Sequence, residues 1–78
     1  MTNPVVRHSN WRHKRTGDIY TVIMLTNTHA DESRREEYPV TVVYELASRA
    51  WPDRHPAWSR PLSRWYDNFE FVGMAHTE

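Results

Sequence analysis

The 78-residue chain contains no cysteine, which excludes a disulfide scaffold and any metal site built on thiolates. It has only two glycines, Gly17 and Gly73, too few and too far apart for a Gly-rich loop that cradles phosphate. Its ten cationic residues are nine arginines and a single lysine, and ten carboxylates bring the net charge to zero. That balance excludes a polybasic protein that coats nucleic acid with its whole surface, a mode that needs a large excess of cations. No apolar run approaches the roughly 20 residues of a membrane-spanning helix, and Met1-Thr2-Asn3-Pro4 has no signal-peptide core. A cytoplasmic protein with no membrane association is expected.

Metal and catalytic signatures are equally sparse. His8, His13, His29, His55 and His76 show no His-x-His, His-x3-His or His-Glu-x-x-His spacing, so no metal is expected. The acidic stretch Asp31-Glu32 and Glu36-Glu37 lacks the alternating oxygen donors and the central glycine of a hard-cation loop. No nucleophile elbow is present, and Ser, His and Asp residues are scattered without pattern. The chain is therefore expected not to be an enzyme: no catalytic residue and no cofactor is assigned.

What remains is aromatic and arginine-rich. Four Trp and four Tyr are more than one small core easily hides, and their polar N–H and O–H groups need partners when buried. A chain of this length buries roughly 60% of its unfolded surface, so the core is thin and self-association is an easy way to bury more. A homo-oligomer is expected on that ground. The neutral total is a sum of opposed blocks: residues 1–20 and 49–66 each carry +3, whereas 21–48 and 67–78 each carry −3. All four tryptophans fall in the basic blocks, each with an arginine within two positions.

Hydropathy patterning predicts one domain over 1–78, with a core from about 5 to 72 and a frayed, flexible tail from 73 to 78. Residues 38–46 alternate, with Tyr38, Val40, Val42, Tyr44 and Leu46 on one face of a half-buried strand. Residues 19–26 are apolar on both faces, as in a strand covered on both sides. Gly17-Asp18 marks the turn that joins it to a first strand around 6–13. The segment 28–37 reads as a solvated loop, and 47–57, with two prolines, as an irregular connection. Trp58-Ser59-Arg60 is a short strand, Pro61 to Tyr66 a helical turn opened by proline, and Asn68 to Val72 the final strand. Five short antiparallel strands with one helical turn before the last describe a mainly β, small SH3-like barrel.

Several of these landmarks coincide in one pattern. Trp11-Arg12-His13, Gly17 with Tyr20 and Val22, Val42-Val43-Tyr44 with Leu46, and Trp58-Ser59-Arg60-Pro61-Leu62 with Trp65, Asp67 and Phe69 resemble a small bacterial and phage family, a domain of unknown function. Members of that family look like Tyr-x-His-x-Lys-Gly-x-x-Tyr-x-Val, a loop with His and Glu-Thr, then Val-Val-Tyr and Trp-x-Arg-Pro-Leu-x-x-Phe. The likeness spans roughly residues 11–69. It departs from the pattern by one inserted residue between His13 and Gly17, so that Lys14 or Arg15 stands in for the family lysine. His29 with Glu32-Ser33 takes the place of the loop motif, again with an insertion. The resemblance implies a compact β domain, in the host cytoplasm if phage-encoded, and supplies no mechanism.

The residues themselves suggest a binding site. His13, Tyr20, Tyr44, Trp58 and Arg60 are the candidate ligand-binding group. Trp58 and Arg60 lie two apart on an extended segment and therefore share a face. An indole that stacks a planar ring beside a guanidinium that grips an oxyanion suits a nucleotide-like ligand. The structural alternative makes Trp58 the core anchor and pairs Arg60 with Glu45 or Asp67. Trp51 and Trp65 are the candidate interface residues, for a second copy or for a host or phage protein whose activity the domain would modulate. Single-stranded nucleic acid is not expected as a partner, since the two basic blocks would have to share one face.

Overall fold

The computed structural model describes residues 3–47 and 57–75. Five strands, β1 (Ser9–His13), β2 (Ile19–Thr26), β3 (Thr41–Leu46), β4 (Ala57–Pro61) and β5 (Phe69–Met74), form one antiparallel sheet in the order β4-β3-β2-β1-β5. A 3-10 turn over Leu62–Arg64 runs into the single-turn helix α1 (Trp65–Asn68) and carries the chain from one edge of the sheet to the other. This is the mainly β architecture expected, with the helical turn before the last strand.

The sheet is strongly curled. Neighbouring strands lie about 4.8 Å apart, so in a flat sheet of this order β4 and β5 would be separated by roughly 19 Å. Here the Arg60 guanidinium carbon of β4 lies 5.5 Å from the centre of the Phe69 ring of β5, and the Tyr44 and Phe69 rings are 5.3 Å apart. No backbone pairing joins β4 to β5 among the described residues, so the arrangement is barrel-like without a closed ladder.

Two bulges produce departures from the expected pattern. Val22 pairs with Tyr44 and Met24 with Val43, which leaves Ile23 as an extra residue in β2. An extra residue inverts the inward parity. Tyr20 and Val22 face the core before the bulge and Leu25 after it, while Met24 is exposed. The lack of alternation in 19–26 therefore reflects a bulge and not cover on both faces. Between β1 and β5 the register shifts at Asn10/Trp11, opposite Val72.

Boundaries differ from expectation for local reasons. The first strand starts at Ser9 because Val6–Ser9 is a turn, closed by Ser9 N–H donating to Val6 O (3.1 Å) with His8 at φ 73°. Tyr38 and Pro39 precede β3 and are exposed. The last strand extends through Gly73 and Met74, which pair with Asn10 and Ser9, so fraying does not begin at Gly73. The charged segment includes a 3-10 turn over Glu32–Arg34, steadied by Arg35, whose guanidinium donates to Asn27 O (2.9 Å). The proline-bearing connection after Ala47 and Trp51 within it lie outside the described residues.

The core occupies the concave side. Trp11, Val22, Val42, Tyr44, Trp65 and Phe69 are buried there. Trp11 Nε1 donates to Ser9 Oγ (2.8 Å), and Ser9 Oγ donates in turn to Val6 O, so this indole is buried with its polar atom satisfied. Trp65 is fully buried, stacked on Phe69 at 4.0 Å and 12°. The assignment of Trp65 to an intermolecular interface is thus corrected: α1 turns its ring into the core, where no partner reaches it.

Candidate functional site

The inward positions of β1, β2, β3 and β4 bring all five candidate residues to one region. Strand register does most of this work. Tyr44 pairs with Trp58 and Val42 with Arg60, so Trp58 and Arg60 share the face that carries the buried Val42 and Tyr44. Tyr20 lies edge-on to both Tyr44 (5.4 Å, 83°) and Trp58 (5.7 Å, 89°). Trp58 runs nearly parallel to Tyr44 at 6.2 Å and 28°. Trp58 is 43% exposed, so it is open to a ligand and is not the core anchor that the structural alternative required. Trp11 and Trp65 fill that role.

Phe69 is the hub of the cluster, and sequence reasoning did not include it in the site. His13 pairs with Phe69 across β1 and β5, and its ring meets Phe69 edge-on at 5.0 Å and 86°. Tyr20 and Tyr44 also contact Phe69 edge-on, at 5.7 and 5.3 Å. The Arg60 guanidinium lies over the same ring. The inward parity of Phe69-Glu70-Phe71 was readable, but its convergence with Arg60 needs the pairing of the first strand with the last.

Electrostatically the site is unusual in one respect. Arg60 Nε is buried and has no hydrogen-bond partner, and Arg60 makes no ion pair among the described residues. Neither Glu45 nor Asp67 neutralises it. A buried donor without an acceptor is costly, more so on a charged group. Trp65 Nε1, on a ring stacked against Phe69, is a second buried donor without a partner among the described residues. By contrast Arg12, the neighbour of Trp11, is committed to Glu70 through an Nε–H bond to Oε1 of 2.7 Å. Burial, with smaller contributions from Asp18 and Tyr44, pushes the Tyr20 phenol above its ordinary range, so it stays neutral at physiological pH.

His13 also shapes the hairpin between β1 and β2. Its Nδ1 accepts from Arg15 N–H (3.2 Å) and Thr16 N–H (3.4 Å). The backbone closes the same loop, with Gly17 N–H donating to His13 O and His13 N–H to Asp18 O, both at 2.8 Å. Gly17 sits at φ 82°, the left-handed region that glycine enters without strain. What the region offers chemically is aromatic faces, a guanidinium and an imidazole. No group of three or more His, Asp or Glu side chains is placed to hold a metal among the described residues, and no described helix is long and apolar enough to cross a membrane.

No family model, curated protein or solved structure matches this chain. The site's own geometry therefore carries the functional argument.

Proposed function

We propose that this domain is a non-catalytic binding module that captures a planar, anionic, nucleotide-like ligand at the rim of its aromatic core, against Trp58 and Arg60. The observation that carries this reading is Arg60, a cation unpaired among the described residues, beside the half-exposed Trp58. The unpaired guanidinium holds a ligand oxyanion, and a planar base stacks on the indole. The groups gathered at the site hold a molecule without transforming it, so the outcome of binding is sequestration.

Native mass spectrometry on gently purified protein tests the reading first, because one spectrum reports subunit number and any retained ligand. Titration of the intrinsic tryptophan fluorescence with a nucleotide panel follows. Trp58→Ala removes a base-stacking contact of about 1–3 kcal/mol and weakens binding roughly tenfold or more. Absence of any bound small molecule, together with no response to the panel and a stable complex with a second protein, would replace this reading with the protein-docking one.

A further inference from the structure

The hydrogen bonds at the β1–β2 hairpin fix more than the turn. A neutral imidazole has one acceptor and one donor nitrogen, and which is which follows from the partners. Nδ1 of His13 receives two backbone N–H groups, from Arg15 and Thr16, and so carries no proton. The ring proton is therefore on Nε2. His13 is an inward residue of β1, half-buried against Phe69. Arg60 approaches the same ring from β4. The two side chains are separated by no more than the sum of their 5.0 and 5.5 Å distances to the Phe69 centre.

We propose that His13 is a specificity-determining residue of the capture site, held by its hairpin with Nδ1 as acceptor and Nε2–H as the donor that acts with Arg60 on one ligand oxyanion. This rests on the binding reading given above and names the recognised group. His13 and Arg60 both present donors only and Arg60 carries a positive charge, so the group they favour is an anionic acceptor: an ionised phosphoryl or carboxylate group over a neutral hydroxyl, and not an ammonium or a quaternary ammonium. The last exclusion has substance. Tyr20, Tyr44, Trp58 and Phe69 together would otherwise resemble an aromatic cage for a cation, but a guanidinium already lies over Phe69.

The two nitrogens can be separated by substitution. Asparagine places an acceptor where Nδ1 stands and caps the same turn through its side-chain oxygen, but it has no donor at the Nε2 position. Glutamine reaches the Nε2 position with an N–H donor and loses the cap. Adenosine 5′-monophosphate and adenosine serve as probes, titrated against wild type, His13→Asn, His13→Gln and Trp58→Ala, with a thermal melt of each. The expected result is that His13→Asn melts like wild type and binds the monophosphate about tenfold more weakly. His13→Gln melts lower but keeps most of its affinity below its melting temperature. Adenosine, which lacks the oxyanion, is bound weakly and equally by wild type and both His13 variants. If His13→Asn binds the monophosphate like wild type while Trp58→Ala does not, His13 is only a turn cap, and this inference falls while the capture reading stands. If wild type binds neither probe, both fall.

Discussion

Replacing Arg60 by methionine separates a binding role from a structural one by the sign of the stability change. Methionine keeps an unbranched apolar stem against the aromatic cluster and removes both the charge and the orphaned Nε–H. Leaving a buried donor unsatisfied costs about 1–3 kcal/mol, and this donor has no acceptor among the described residues. Against that gain stands the loss of the guanidinium on Phe69, a cation–π contact of about 0.5–1 kcal/mol. The net expectation for Arg60→Met is a stabilisation of about 1 kcal/mol, which for a domain of this size raises the melting temperature by about 4–8 °C. Ligand binding is lost in the same variant. The assay is a circular-dichroism melt beside a fluorescence titration on identical samples. A melting temperature lowered by 4 °C or more would refute the reasoning, because it would show that Arg60 makes a stabilising contact in the free protein. Stability surrendered at a site that needs an unpaired cation is the pattern expected of function.

Phe69→Ala removes the ring on which His13, Tyr20, Tyr44, Trp65 and Arg60 converge. The loss of about 3–5 kcal/mol is comparable with the whole stability of so small a core, so the variant is expected to be largely unfolded at 25 °C by circular dichroism; a cooperative melt near wild type would show that Phe69 is not the hub. Gly17→Ala forces an alanine to φ 82° with open space around it, a strain of about 1 kcal/mol, whereas Gly17→Asn is expected to melt close to wild type; equal melting of all three would disprove the left-handed turn. Tyr20→Phe tests the raised phenol. Because the folded state favours neutral Tyr20, the unfolded chain loses this proton first, and stability falls as pH rises beyond about 10. Urea titrations at stepped alkaline pH should show wild type losing stability relative to Tyr20→Phe, and parallel curves would contradict the assigned burial.

Part of this protein was legible without coordinates. Proline at 61 and the turn at Gly17-Asp18 act through local backbone geometry, and the alternation of 40–46 acts through a period of two, so the strands on either side and the helical turn follow from the chain itself. The pairing of Trp58 with Arg60 on one face was readable for the same reason. Bulges are different. Whether Ile23 or Val72 is the extra residue depends on the partner strand, so where the inward set of β2 and of β5 changes parity could not be read from either segment alone.

The fate of the tryptophans was also decided at long range. Trp58 and Trp65 have similar neighbours in sequence, each with an arginine within two positions, yet one is 43% exposed and the other fully buried. Their local elements, a strand and a helical turn, do not fix which of them is buried. Trp65 is driven inward because α1 crosses beneath the curl of the sheet, and Trp58 stays at the rim because β4 is an edge strand. Sequence alone determined which residue types share a face, since that needs only strand period and turn chemistry. Tertiary structure alone decided which face closes over the core and that Arg60 would meet Phe69 with no carboxylate paired to it among the described residues, because both depend on the first and last strands pairing across the chain.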